Sequence, residues 1–174
     1  INGMKAPMIK EVDVPISGLK EELCVVQITD VHIGKTLGKA FIDDIVKQIN
    51  TLKADIVVIT GDLVDMPVER IGNTLDALKE IKSRFGVYYV PGNHEYFYGV
   101  HKIMEHIKSL GIHVLSNRSM VINQTINLAG VMDMMGRRFD FEPPDLTLAL
   151  SNVAPSLPTI LLSHQPKIVS EIKH

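Results

Sequence analysis

Two side chains that bind metals well follow a short apolar segment near the start of the chain. Asp30 and His32 follow residues 25–28, at the point where a predicted buried strand gives way to a loop. Because alternate residues of an extended segment face the same way, the carboxylate and the imidazole can converge on one point. One oxygen and one nitrogen ligand suit Mn, Fe or Zn better than Mg or Ca. Alone, such a pair is more often a helix cap beside a packed histidine than a metal site.

The same arrangement recurs at three later strand ends. A buried strand is predicted at 56–59 and further strands at 87–90 and 159–162, and each is followed closely by Gly, Asp, Asn or His. In open α/β sheets, ligands gather outside the carboxyl ends of the strands. Each turn alone fits a plain loop, but four such ends in succession predict one polar site. The residues concerned are Asp62 and Asp65 after the second strand, Asn93 and His94 after the third, and His164 after the last.

The elements that must position these residues alternate between strand and helix. Apolar residues recur every three or four positions over 39–52, which predicts an amphipathic helix. Further helices are predicted over 74–81 and 100–110, and this alternation favours right-handed crossovers in a mostly parallel sheet. Beyond residue 112, short β-rich segments predict a second sheet. Its predicted pieces are strands at 113–115, 120–122, 125–128 and 130–132, a turn at Asn123-Gln124, a short helix ending at Leu150, and a helix beginning at Ile168. Residues 8–16 are expected to form an exposed or edge strand.

Composition excludes several classes of protein. The 174 residues are 45% hydrophobic and 22% charged, which is typical of one globular domain with a real core. A net charge of -2 disfavours a protein that binds nucleic acid by neutralising phosphates. The single Cys24 cannot form an internal disulfide and is predicted to be a buried thiol. No apolar run of about 18 residues, the length that indicates a membrane-spanning helix, occurs in the chain.

Taken together, the motifs resemble those of the calcineurin-like metallophosphoesterases. The similarity covers roughly residues 20–174, and the residues of the motifs are most similar to those of the bacterial, often membrane-attached branch of that superfamily. The motifs are Asp30-x-His32, Gly61-Asp62-x-x-Asp65, Gly92-Asn93-His94-Glu95 and the isolated His164. The resemblance implies a single α/β domain over residues 1–174, a four-layer α/β/β/α sandwich with two central mixed sheets.

Carried over position by position, the resemblance also implies roles for these residues. Asp30 and His32 would bind one divalent ion, Asp62 would bridge two, and Asn93 with His164 would bind the second. His94, oriented by Asp65, would act as a proton donor or transition-state stabiliser. The ions would be Mn, Fe or Zn, and a hydroxide that bridges them would attack phosphorus without a covalent enzyme intermediate.

Two departures from the family pattern bear on the substrate and on completeness. Asp65 is followed by Met66-Pro67, whereas the protein Ser/Thr phosphatases continue with Arg-Gly. A phosphoprotein is therefore disfavoured as substrate relative to a small phosphodiester, a nucleotide or a lipid-linked phosphate, and no specific nucleic acid is expected as partner. The final Gly-His-x-His motif does not occur in the 174 residues. We therefore expect a truncated chain with each ion short of one histidine, and weak or no activity in the fragment.

Several alternatives stay open at this point. The same fold could serve as a noncatalytic, protein-binding scaffold, which an apolar surface patch in place of an open polar groove would favour. The full-length protein could be membrane-attached through a preceding segment or be cytoplasmic. Tyr96, Phe97 and Tyr98 follow the third motif, where they could either wall the pocket or pack the loop. Preference for a monoester or a diester, the native metal and the oligomeric state are all undetermined.

Overall fold

The computed structural model describes residues 7–172, and its first sheet consists of parallel strands in the order β1-β2-β3-β4. Neighbouring strands are connected by helices or helical turns, as expected for parallel pairing. The strands are β1 (Val25–Ile28), β2 (Ile56–Thr60), β3 (Val87–Val90) and β4 (His113–Val114), and the helices along this half of the chain are α1 (Lys39–Thr51), α2 (Val68–Leu75), which continues as a 3-10 helix (Asp76–Glu80), α3 (Asn93–Tyr98) and α4 (Val100–Ser109).

A second, mixed sheet follows. Its strands are β5 (Arg118–Ile122), β6 (Ile126–Gly130) and β7 (Thr159–Leu162), flanked by α5 (Gly136–Phe139), α6 (Leu146–Leu150) and a 3-10 helix (Pro166–Glu171). β5 and β6 form an antiparallel hairpin, whereas β7 pairs parallel to β6. The hairpin turns at Asn123 and Gln124, both with positive φ, which confirms the predicted turn.

β2 shows how the layers are stacked. Val57 and Ile59 point into a core shared with α1 and α4. The alternate residues Ile56 and Val58 point into a second core shared with β6 and β7. A strand that is buried on both faces reads as a continuous apolar run, as this one does. A smaller cluster behind the second sheet contains Val131, Ala149 and Ile168. The layers are therefore helix, sheet, sheet and helix, which confirms the predicted α/β fold.

The first strand differs from its prediction as a buried strand. β1 lies at one edge of its sheet within residues 7–172, and its residues are alternately exposed and half-buried. Cys24, which precedes it, is exposed, so the prediction of a buried thiol is wrong. Residues 8–16 form no strand and are largely exposed, because they find no partner strand to pair with among the described residues. Apolar composition indicated strands here without indicating which of them would have neighbours.

Other element boundaries shift in ways that matter less for the site. The helix predicted over 74–81 begins earlier, at Val68, and tightens into 3-10 geometry from Asp76. Residues 126–130 form one strand where two were predicted, and α3 and α5 were not predicted. None of the helices described is both long and apolar enough to cross a bilayer. The predicted domain, residues 1–174, extends at both ends beyond the described residues.

Candidate metal centre

The loops after β1 and β2 continue side by side beyond the strands. The backbone N–H of Asp30 donates to the carbonyl of Gly61 at 3.1 Å, and that of His32 donates to the carbonyl of Asp62 at 3.0 Å. A further bridge joins Ile33 to Val64. The register of the two strands therefore extends into the loops and fixes the relative positions of three predicted ligands.

These three residues share an unusual backbone conformation. Asp30, His32 and Asp62 have φ values of 55°, 52° and 50°, in the left-handed region that few residues other than glycine adopt. Asp and His tolerate this region better than most side chains, and residues held there cluster at functional sites. The conformation turns each side chain out of the strand direction toward the end of the sheet.

The Asp62 carboxylate lies at the centre of the site. Its Oδ1 accepts a hydrogen bond from the backbone N–H of His94 at 2.9 Å. Its Oδ2 lies 3.4 Å from Nε2 of His164, 3.8 Å from Nε2 of His94 and 3.9 Å from Nε2 of His32. Burial acts to raise the pKa of Asp62, but the hydrogen bonds from His164 and His94 outweigh it, and the pKa lies below its ordinary value. One buried oxygen thus faces three imidazoles.

His164 reaches this point from the second sheet. Its Nδ1 donates to the carbonyl of Thr60, the last residue of β2, at 2.9 Å. That contact leaves Nε2 directed at Asp62 and at Oδ1 of Asn93, which is 3.1 Å away. The hydrogen bond with Asp62 raises the pKa of His164 to about 9. Binding of a metal at Nε2 would therefore displace a proton.

Asp65 links two histidines at once. Its Oδ1 accepts from Nδ1 of His94 at 2.6 Å and from Nδ1 of His32 at 2.9 Å. Burial acts to lower the pKa of His32, but the contact with Asp65 outweighs it, and the pKa lies above its ordinary value. Both Nδ1 atoms are thereby assigned as donors, so that each ring presents Nε2 to Asp62. The sequence predicted this contact for His94 alone.

Glu95 is a functional residue that sequence analysis missed. Its carboxylate is fully buried and accepts from the backbone N–H groups of Leu63 (2.7 Å), Gly92 (2.7 Å), Asp62 (3.0 Å) and Val64 (3.4 Å). Burial raises the pKa of this carboxyl, although the N–H groups of Gly92 and Leu63 oppose the shift. One side chain therefore joins the loop that carries Asp62 to the loop that carries Asn93. A Glu at the third position of α3 is the signal of a capping box and could have revealed it.

The donor set could hold a divalent metal. Donor atoms of Asp30, Asp62 and His164 all lie within 4.8 Å of one another. Nε2 of His32 is 3.8 Å from Oδ1 of Asp30, and Asn93 lies against His164 as described. Two donors about 2.1 Å from one ion lie about 3 to 4 Å apart, so the 3.8 Å separation of His32 and Asp30 suits shared coordination. A second group within 4.8 Å, His32, Asp65 and His94, is already joined through its hydrogen bonds. All seven predicted site residues thus converge.

Comparison with known proteins gives consistent matches. Residues 24–173 match the family model of the calcineurin-like phosphoesterases. An uncharacterized metallophosphoesterase of Helicobacter pylori is 40% identical over 171 residues, which are 98% of this chain and 46% of that protein. One from Campylobacter jejuni is 35% identical over 167 residues, 95% of this chain and 44% of that protein. A transmembrane protein with a metallophosphoesterase domain from Danio rerio is 34% identical over 178 residues, 95% of this chain and 41% of that protein. The chain spans less than half the length of these relatives.

Proposed function

Because the chain belongs to the calcineurin-like phosphoesterase family, we propose that it hydrolyses a phosphomonoester or phosphodiester with two divalent metal ions. The observation that carries the proposal is the convergence of three imidazole Nε2 atoms on one buried oxygen of Asp62, at 3.4 to 3.9 Å. Imidazoles and a carboxylate that share one point, with loops strained to hold them there, are the donor set of a transition-metal site.

The ligands divide between two ions. Asp30, His32 and Asp62 would hold one, and Asp62, Asn93 and His164 would hold the other. Asp62 would be shared because ligands of both ions face its Oδ2. The neutral amide of Asn93 would add no charge to a site that must also accept a phosphate. Mixed nitrogen and oxygen donors suit Mn, Fe or Zn. When bound, such ions supply a water of lowered pKa and neutralise charge on the phosphate.

His94 is the residue proposed to move a proton. Its Nδ1 is held by Asp65, and its Nε2 faces the site 3.8 Å from Oδ2 of Asp62. A histidine ring held by a carboxylate in this way could donate a proton to the leaving oxygen. Asp65 acts here as a positioning residue, since it fixes the ring that donates.

The openness of the site supports hydrolysis over the scaffold alternative. The side chain of Asp30 is 53% exposed, and the rings of His32 and His94 are about one-third exposed, so solvent and a small ester reach the donors. A polar, accessible centre suits catalysis. The substrate class that fits an open site without the Arg-Gly of protein phosphatases is a small or lipid-linked phosphate ester.

The test is metal-dependent turnover. We expect the full-length protein to hydrolyse bis-p-nitrophenyl phosphate with Mn, Fe, Co, Ni or Zn after removal of bound metal, and to lose that activity with chelator. The Asp62→Asn variant serves as the matched inactive control. If no metal supports turnover while the protein is folded, the scaffold function replaces the proposal.

A further inference from the structure

We propose that the substrate's leaving group carries an aromatic ring, which binds on an aromatic ledge formed by Phe97 and Phe139 beside His94. This inference rests on the proposed function, because it identifies the leaving-group side of the site by the residue proposed to protonate that group. The ledge would give the enzyme specificity for the leaving group of the ester.

The position of Phe97 follows from the helix that carries it. Phe97 lies three residues after His94 on α3, and residues at that spacing share one face of a helix. The two ring centroids are 6.3 Å apart at an interplanar angle of 84°. If Nε2 of His94 donates to the leaving oxygen, the group bonded to that oxygen lies next to the Phe97 ring.

Phe139 completes a corner. Its ring centroid is 5.2 Å from that of Phe97, and the planes are perpendicular at 90°. Two perpendicular rings offer an incoming ring one face and one edge, the contacts that aromatic groups prefer. The rings are 57% and 39% exposed, so the corner is open to a ligand.

The neighbouring aromatic residue behaves differently. Tyr96 is buried, and its hydroxyl lies within hydrogen-bond reach of the carbonyls of Glu142 (3.3 Å) and Asp133 (3.4 Å). Its ring lies 6.5 Å behind that of Phe139. The sequence left open whether these aromatic residues pack the loop or wall the pocket. In the structure Tyr96 packs the loop, and Phe97 faces outward beside the proposed proton donor.

The second half of the ledge is held by a tight turn. Gly136, at the start of α5, has no room for a side chain, because a Cβ there would meet the backbone of Glu142. Asp140 turns the chain with φ 54°, and the N–H of Phe141 donates to the carbonyl of Gly136 at 3.1 Å. Phe139 is thus presented from a tight turn, and a backbone held in place lowers the entropy lost when a ring binds.

An acyl chain would need different surroundings. Long alkyl groups gain most where a channel removes them from water along their length, because the gain scales with buried apolar area. The ledge is a short open corner of two rings, and its geometry matches one ring. An aromatic leaving group is therefore the occupant that the contacts favour.

The experiment measures binding of three phosphonates to the Mn-loaded full-length protein by calorimetry, with turnover of bis-p-nitrophenyl phosphate recorded in parallel. Phenylphosphonate, methylphosphonate and hexylphosphonate present the same charged group with different substituents. We expect phenylphosphonate to bind about 3- to 10-fold more tightly than methylphosphonate, the range for one aromatic pair. In Phe97→Ala and Phe97→Leu that ratio should fall to near one, because leucine keeps apolar area but offers no ring.

The control is Phe85→Ala, the same truncation at a half-buried ring before the amino end of β3, which should keep the wild-type ratio. A phenyl preference that survives Phe97→Ala, or a hexyl preference that survives Phe97→Leu, overturns the aromatic ledge. Loss of metal in Phe97→Ala without loss in the control also overturns it, because the residue would then act on the metal centre. Metal-dependent phenyl binding without turnover refutes the proposed hydrolysis alone, and turnover without phenyl preference refutes the ledge alone.

Discussion

Substitution of Glu95 should lower both the stability of the fold and the metal affinity of the centre. The carboxylate accepts four backbone N–H groups, three of them at 3.0 Å or less, from two loops that carry ligands. Each buried donor left unpaired costs about 1 to 3 kcal/mol. With three such donors unpaired, Glu95→Ala should destabilise the fold more than nearly all single substitutions do. A loss of more than about 4 kcal/mol in the free energy of unfolding is already exceptional for one substitution. Because a domain is stable by only about 5 to 15 kcal/mol, that variant would barely fold.

Glu95→Gln is the better perturbation because it preserves shape. One oxygen becomes an amide NH₂, which then faces two backbone N–H groups: those of Leu63 and Val64, or those of Asp62 and Gly92. Two donors without an acceptor predict a loss of about 2 to 6 kcal/mol in the free energy of unfolding. The loss of these hydrogen bonds should also displace Asp62 and Asn93, which the two loops carry, so metal affinity should fall as well.

The assay is urea unfolding of the metal-free protein together with metal content after dialysis. The matched control is Glu105→Gln, the same chemical change at an exposed position of α4, which should stay within about 0.5 kcal/mol of wild type. If both variants show the same unfolding midpoint and the same metal content, Glu95 does not brace the two loops.

Three further predictions address the residues of the centre. Asp62→Asn should reduce metal content and activity more than any other single ligand change, and retention of two ions per chain would contradict its shared role. His94→Ala should keep its metal and lose about 10²–10⁴-fold in rate, the range for a lost general acid; loss of metal would make His94 a ligand. Gly92→Ala should lower stability and metal content, because the added Cβ would meet the Asp62 carboxylate and N–H, whereas Gly38→Ala, which has open space around it, is the control for both measurements.

The sequence located most of the centre because parallel strands end at a common edge. Asp30, Asp62 and Asn93 each follow an apolar run, and β1, β2 and β3 are neighbours in that order. Adjacent strand ends carry their loops to one place without any further information. His164 is a different case, since it comes from the other sheet and meets Thr60 at a separation of 104 residues. Its place after the last predicted strand and the family resemblance both indicated it, but its contact with Thr60 depends on how the two sheets pack.

The features that the sequence did not reveal depend on contacts with residues distant in the chain. Burial of β1 could not be predicted because an apolar strand looks the same at the edge of a sheet as in its middle. The strand predicted over 8–16 had suitable alternation, but alternation does not supply a partner. The role of Glu95 could not be predicted, because it depends on N–H groups that lie about 30 residues away in the chain. The division between Tyr96 and Phe97 likewise required the helix phase of α3.

Asp65 offers the sharpest test of how the centre is built, because it touches one proposed ligand and one proposed proton donor. Asp65→Asn keeps the size of the side chain but removes the charge that holds Nδ1 of His32 and of His94. We expect a loss of about 10- to 100-fold in metal affinity, typical of a lost partner of a ligating histidine, and a further loss in rate. Asp44→Asn, at an exposed ion pair on α1, is the matched control.

The double variant Asp65→Asn/His94→Ala separates the two contacts. If Asp65 acted through His94 alone, as the sequence predicted, the double variant would bind Mn as tightly as His94→Ala. Because Oδ1 also accepts from His32 at 2.9 Å, we expect its affinity to fall to that of Asp65→Asn. Calorimetric titration of the four proteins in one buffer decides the question. Wild-type affinity in Asp65→Asn would mean that the backbone, through the strained φ of His32, is sufficient to aim that ring.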